Sequence, residues 1–220
     1  TPEHFIAQVK YFLNGWDKPD VAEQLRQAGI DPTVKPNMSG LHFVQIDEFY
    51  PIESSQANSF YYYVNKYYIE GFGLDPAKCL LIDASRIGLG DGETLSDYWP
   101  DNTVDLSLRY RQPHSHLEEK QKALLSRIDQ WCMDYEQKIH ALGGIGFFLG
   151  GIGPDGHIGF NIKGSDHHCT TRLCPTNYET QAAAATDLGG IEISRNRLVI
   201  TIGLKTITAN PDCTAIIMAA

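Results

Sequence analysis

The chain has 220 residues, with 18 Lys and Arg against 27 Asp and Glu for a formal net charge of −9, 42% hydrophobic residues and 20% charged ones. That apolar content excludes disorder, because burial can offset the entropy of folding, and a chain this long can enclose about 70% of its unfolded surface without disulfide or metal staples. The acidic balance repels a phosphodiester backbone, and the longest apolar runs, 145–152 and 214–220, fall far short of the roughly 20 residues that cross a bilayer. Neither nucleic acid nor membrane is expected as a partner, and a cytoplasmic location is.

In chain order, Phe5, Ile6, Val9, Phe12 and Leu13 recur at helical spacing and predict a helix over 2–13, with Thr1 as its N-cap and Pro2 at the first helical position. A second short helix is predicted over 21–28. The run 41–46 is β-rich and ends at Asp47-Glu48. Residues 58–70 carry Phe60, Tyr61, Tyr62, Tyr63, Tyr67 and Tyr68 and fit a helix packed on a core, a base-stacking surface being the sharper alternative. A short strand over 80–82 and a long loop over 88–116 follow.

The strongest helix is predicted over 117–142. Leu117, Leu124, Leu125, Ile128, Trp131, Cys132, Tyr135 and Ile139 form its apolar stripe, and Gly143-Gly144 end it. Apolar strands follow at 145–149, 198–202 and 214–218. Helices alternating with strands that are apolar on both faces predict an α/β fold with a mostly parallel central sheet, in which ligands bind at the carboxyl ends of the strands.

The scattered cysteines, Cys79, Cys132, Cys169, Cys174 and Cys213, show no CxxC spacing and read as free thiols in a reducing compartment. A metal site built from Cys169, Cys174, His167 and His168 is the weaker alternative. The strand ends carry more. After Leu149, Gly150, Gly151, Gly153 and Gly156 let backbone N–H groups approach a ligand closely, and Asp155 and His157 set a carboxylate beside an imidazole, a pairing suited to proton transfer. A tight turn with a solvent-facing Asp and His is the plain alternative. At the end of the 41–46 run, Asp47 is a candidate general base; a helix cap and a solvated side chain would also account for Asp47-Glu48.

The run LGGIGPDGHIGFN over 149–161, with Asp47-Glu48-Phe49, Asn58-Ser59-Phe60-Tyr61 and a Tyr135-Glu136 helix leading into the glycine strand, resembles the glucosamine-6-phosphate deaminase/isomerase family. That family shares its fold with 6-phosphogluconolactonase. Ser165 and Thr171-Arg172 look like the family's lid segment, and LVITIGLK over 198–205 resembles its late strand and turn. The resemblance implies one Rossmann-like, three-layer domain over 1–220 that acts on a phosphorylated amino sugar, with no metal or organic cofactor and in a homo-oligomer. It implies Asp47 as the base moving a proton between C2 and C1, His157 as the group assisting ring opening, and Asp155 as its holder. Thr1, Glu48, Gly150, Gly151, Gly153, Gly156 and Arg172 are expected around the substrate, with Lys205 as a second cation. The products would be a ketose phosphate and ammonia.

Three departures from the family pattern stand out. Ile162 occupies the position of the Glu that supports the catalytic His, leaving His157 to rely on Asp155 or a neighbour such as Asp166. The family's phosphate loop would precede Thr1, and its later phosphate-contacting Lys would follow Ala220, so the domain is expected to be cut at both ends. Two alternatives follow. A lactonase-like hydrolase needs no such Glu, and Pro154 suits its turn; a sugar-phosphate-binding domain without activity would tolerate Ile162.

Overall fold

A computed structural model describes residues 3–219. In chain order the elements are α1 (Glu3–Gly15), α2 (Pro19–Gln27), β1 (Phe43–Val44), β2 (Asp47–Tyr50), α3 (Phe60–Val64), α4 (Glu70–Phe72), β3 (Cys79–Leu80) and α5 (His116–Ala141). Then come β4 (Phe147–Gly151), β5 (Arg172–Pro175), α6 (Tyr178–Leu188), α7 (Ile191–Ser194), β6 (Leu198–Thr201), α8 (Leu204–Thr208) and β7 (Thr214–Met218). The described residues fall into two units, 3–44 with 63–80 and 45–62 with 81–219.

In the smaller unit, α1 and α2 stand where helical periodicity puts them. Pro19 opens α2, where its missing N–H would have no helical partner. Trp16, Val21 and Leu25 are buried together with Phe12 packed on them, and Trp16 Nε1 donates to the Pro32 carbonyl at 2.7 Å. The aromatic run is helical, with a π-helical stretch over Asn65–Ile69 leading into α4. Its rings pack on one another, Tyr63 on Tyr67 at 4.5 Å and Tyr68 on Phe72 at 5.2 Å. Strands β1 and β3 pair in parallel. The expected N-cap Thr1 and first-turn Pro2 lie outside the described residues.

In the larger unit, helix α5 is capped by Ser115, whose Oγ accepts the Glu118 N–H at 3.2 Å, and stops at Gly143 with φ +90°. Leu124, Leu125, Ile128, Cys132, Tyr135 and Ile139 form its buried stripe, whereas Leu117 is exposed. The helix is wired to the rest of this unit by polar side chains as well. Tyr135 Oη donates to the Gln45 carbonyl at 2.8 Å, and Asp129 takes a two-pronged pair from Arg109, which also reaches the Leu173 carbonyl. Glu136 Oε2 accepts from Thr171 N at 3.1 Å, Thr171 Oγ1 at 2.7 Å and Thr206 Oγ1 at 2.9 Å. The 88–116 segment is a packed loop: it buries Leu95, Tyr98, Trp99, Val104 and Leu108, and Trp99 Nε1 donates to Tyr50 Oη at 2.9 Å.

The chain is a mixed helix and strand fold with parallel strand pairs, but the strands do not form one parallel sheet. β4 pairs in parallel with β7, while β6 is antiparallel to both β2 and β5 in a three-stranded sheet of order β2-β6-β5. The residues at 198–201 are apolar on both sides because both faces of β6 are buried, a burial that parallel strands share but do not own. β4 also begins two residues later than its apolar run suggests, so that Gly150 and Gly151 lie in the strand opposite Ile217 and Met218. No described helix is long and apolar enough to cross a membrane. All five cysteines are free thiols.

Candidate active site

Side chains alternate across a strand, so residues directly opposite one another in the β2-β6-β5 sheet share a face. Asp47, Thr201 and Arg172 are in register across the three strands and therefore form one row on one face. At about 4.8 Å between strands, the backbones of Asp47 and Arg172 stand about 10 Å apart. Glu48, Ile200 and Leu173 form the row on the opposite face. Asp47 thus lies at the start of a strand, not beyond the end of one.

Asp47 is held from behind. Gln45 is fully buried, donates through Nε2 to the Asp47 carbonyl at 2.8 Å and accepts the Ile82 N–H through Oε1 at 2.9 Å. The Asp47 carboxyl itself is half-buried, and its burial, reinforced by the neighbouring charge of Glu48, pushes its pKa up to about 8. Glu48 has the opposite surroundings. It is fully enclosed, and its oxygens accept from Ser59 Oγ at 2.7 Å and from the N–H groups of Tyr61 at 2.7 Å, Phe60 at 3.1 Å and Phe49 at 2.9 Å. Three of these partners open helix α3, so Glu48 serves as the acceptor for a helix start. Burial raises its pKa, against the pull of those four donors. With every donor pointing inward, Glu48 presents nothing to a ligand and acts on the site through its charge on Asp47.

The glycine loop sits on the Asp47 face. After β4 the chain turns back through a bridge between Ile152 and Ile158, closed by Gly153 N–H to the His157 carbonyl at 2.9 Å and Gly156 N–H to the Gly153 carbonyl at 2.9 Å, with Gly156 at φ +85°. Both glycine donors are engaged inside the turn, so they shape it in place of offering N–H groups to a ligand. Gly153 has a second duty: a Cβ there would overlap the His157 ring. Thr201 Oγ1 accepts the Phe160 N–H at 3.1 Å, and Asn161 Nδ2 donates to the carbonyls of Ile158 and Ile202, each at 2.9 Å. Phe160 packs on Phe49 of β2 at 5.4 Å and on Phe60 at 6.2 Å, and His157 stacks on Phe160 at 5.5 Å and 25°. The loop carrying His157 is thereby clamped to the face that presents Asp47.

His157 Nδ1 meets Asp155 Oδ1, and Thr180 Oγ1 lies 3.3 Å from the same nitrogen. The other carboxylate oxygen of Asp155 accepts from Asn177 Nδ2 at 2.6 Å and Lys163 N–H at 3.3 Å. Burial pushes the Asp155 carboxyl upward, but the hydrogen bonds from His157, Lys163 and Asn177 outweigh it and hold the group below the ordinary carboxylate range. Asp155 is therefore ionised and can only accept, so Nδ1 carries a proton, and in the neutral ring Nε2 presents a lone pair. Among the described residues nothing hydrogen-bonds Nε2. Asp166, a possible substitute support for His157, instead accepts the His168 N–H at 2.8 Å on the exposed surface. Ile162 is half-buried and makes no polar side-chain contact by its nature.

Arg172 Nη1 donates to Asn161 Oδ1 at 2.9 Å, and Nη2 lies 3.4 Å from Ser165 Oγ. No acid among the described residues pairs with it, so its charge is available to an anion in front of the Asp47 face. Thr171 is turned to Glu136 in the core and Lys205 is exposed. Thr1 lies outside the described residues. Among the described residues no group of three or more His, Cys, Asp or Glu side chains is arranged to hold a metal ion. Sequence reasoning passed over Thr201, Asn177 and Thr180. Asn177 carried a readable signal as the N-cap of α6, accepting the Thr180 N–H at 3.0 Å, whereas Thr201 needed the strand register.

No family model matches the chain. It is 38% identical over 95 residues to the glucosamine-6-phosphate isomerase of Candida albicans, covering 43% of this chain and 38% of that one. Over 76 residues it is 43% identical to a glucosamine-6-phosphate deaminase of Caenorhabditis elegans, covering 34% and 28%, and over 92 residues it is 36% identical to that of Borreliella burgdorferi, covering 42% and 34%. The matched stretches span about a third of the length of these curated relatives. A solved structure described as a monomeric glucosamine-6-phosphate deaminase, a missing link of the NagB superfamily, superposes with a TM-score of 0.58 at 19% identity, covering 89% of this chain and 62% of that one. That likeness shows a common fold.

Proposed function

We propose, from the chain's kinship with the glucosamine-6-phosphate deaminase/isomerase family, that it is an enzyme converting an aldose phosphate to the ketose phosphate, with glucosamine 6-phosphate as substrate. The observation that carries this reading is Asp47, a half-buried carboxyl raised to about 8 on the sheet face where the Asp155–His157 loop is clamped. An aldose-to-ketose shift needs one base that takes a proton and returns it one carbon away, and one acid/base group at the ring oxygen. Asp47 takes the C2 proton of the opened sugar and returns it at C1. His157, with its Nε2 lone pair available, moves the proton that opens the ring. For an amino sugar the C2 imine so formed adds one water and releases ammonia, which balances the conversion to fructose 6-phosphate without a redox step.

Arg172 is the cation for the sugar's phosphate, its guanidinium lying in the Asp47 row and unpaired with any acid among the described residues. Gly150 and Gly151 lead from β4 toward the sugar, Gly153 and Gly156 shape the loop around it, and Thr1 remains a proposed substrate contact. The same proposal takes the chain as one Rossmann-like, three-layer domain over 1–220, working in the cytoplasm as a homo-oligomer and without a metal or organic cofactor.

Ammonia release from glucosamine 6-phosphate by the purified chain tests the reading, and Asp47→Asn should abolish it. Release undiminished in that variant would remove Asp47 as the base. Ile162, which leaves His157 without a Glu, favours one second reading: hydrolysis of a sugar-phosphate lactone, with Nε2 as the base for water and Asp47 not required. Lactone hydrolysis without any ammonia would decide for it. Calorimetric binding of an amino-sugar phosphate with no turnover of either substrate would instead identify a binding domain.

A further inference from the structure

Helix α6 does more than close the chain behind β5. Asn177 is its N-cap: Oδ1 accepts the Thr180 N–H at 3.0 Å, and the other end of the same amide, Nδ2, donates to Asp155 Oδ2 at 2.6 Å. One amide thus ties the first turn of the helix to the carboxylate that holds His157. Thr180, three residues on, is 3% exposed and puts Oγ1 at 3.3 Å from His157 Nδ1. The dyad is gripped from the helix at both of its members, by two side chains a single turn apart. From the segment just after the loop only a backbone group reaches the pair, the Lys163 N–H at 3.3 Å from Asp155 Oδ2; among the described residues no side chain there supports it, position 162 being Ile and Asp166 facing solvent.

The geometry points to Asn177 and Thr180 as positioning residues for the Asp155–His157 pair. Asn177 spends a donor on the Asp155 oxygen that His157 does not use, which fixes the carboxylate plane and leaves Oδ1 aimed at the ring. Thr180 flanks the same ring nitrogen and limits its rotation. The consequence is a single tautomer, protonated on Nδ1, with Nε2 open as the proton-accepting nitrogen. A carboxylate holding only one ring nitrogen is free to swing; two supports from a rigid helix remove that freedom. This inference rests on the proposed function for its relevance to turnover but not for its geometry.

Asn177→Ser separates the two duties of the residue, because Ser is as good an N-cap as Asn but is too short to reach Asp155. Thr180→Val keeps shape and removes the oxygen. Nitrogen-15 NMR of the His157 ring, which needs no substrate, reads the tautomer directly. The wild-type chain is expected to show the Nδ1–H form alone, and Asn177→Ser a mixture with the Nε2–H form at unchanged melting temperature. Turnover of glucosamine 6-phosphate should fall about tenfold in kcat with KM unchanged, a part of the roughly 100-fold or more that a positioned acid/base group supplies. Thr180→Val should show the same pattern, more weakly. A wild-type ring protonated on Nε2, or a ring in Asn177→Ser indistinguishable from wild type, overturns the inference. If the tautomer shifts as expected while no variant, wild type included, turns over the sugar, the positioning stands and the proposed substrate falls.

Discussion

The two faces of the β2-β6-β5 sheet treat neighbouring carboxylates in opposite ways. On one face Glu48 is fully enclosed and meets four donors; on the other Asp47 is half-buried, has its backbone held by Gln45, and keeps a pKa near 8. One step along a strand reverses the direction of a side chain, and that reversal separates a carboxylate that builds the fold from one fit to move protons. Burial alone does not distinguish them, since it raises both; the supply of donors does. The carboxyl proposed as the base is the one that no hydrogen-bond donor among the described residues compensates.

Asp47→Asn strikes this comparison hardest. Turnover should drop by about 100-fold to 10,000-fold, the range for loss of a general base. Stability should move the other way. Because folding raises the Asp47 pKa from 3.8 to about 8, the favourable protonated state is fully present below about 4 and is lost as pH rises through 8. The Asn variant should therefore gain over wild type across that window, by roughly 1–3 kcal/mol at pH 9. Thermal melts at pH 4 and pH 9 would check the sign. In wild type about one molecule in ten has Asp47 ionised at pH 7, so turnover should climb as pH rises toward 8.

Gly153→Ala comes next. The added methyl overlaps the His157 ring and must displace it from Asp155, so kcat should fall by about 100-fold. Gly146→Ala is the matched control: its methyl would meet nothing within 4 Å, and both activity and stability in urea should stay within about 0.5 kcal/mol of wild type.

Glu48→Gln turns the comparison round. Its amide NH₂ faces N–H and O–H donors, and the mismatch should cost about 2–3 kcal/mol in urea unfolding. In the fraction that folds, loss of the Glu48 charge should lower the Asp47 pKa and shift the rising limb of the pH–rate profile to lower pH. A limb that stays in place would mean that the two carboxylates do not sense each other. Arg172→Ala acts on binding and not on the proton transfer: KM for the sugar phosphate should rise about tenfold, or about 1.4 kcal/mol, with kcat little changed.

Helix α5 was legible in the sequence because its apolar stripe and its double-glycine stop agree with one another; its Ser115 cap went unread. Asp155 and His157 were legible too, since their contact is local, two residues apart. What sequence could not supply was register. Strand β5 is four residues long and ends in Pro175, too short and too polar to announce itself, and without it Arg172 has no known neighbour. Only the pairing of β2 and β5 with β6 puts Asp47, Thr201 and Arg172 in one row. The apolar residues of β6 read as parallel because periodicity reports burial and not strand direction. Helix α6 carried its own signals, Asn177 before and Gly189 at φ +91° after, and its Ala-rich body has few apolar periodic positions to add to them.

The turn at Gly153 has a consequence for how this chain can vary. Its backbone is not in the left-handed region that favours glycine; the imidazole lying against it is what stands where a side chain would begin. In a saturation library scored for folding, position 153 would accept many residues, and in the same library scored for turnover it would accept one. A position that separates the two scores so sharply marks where an absent atom does the selecting.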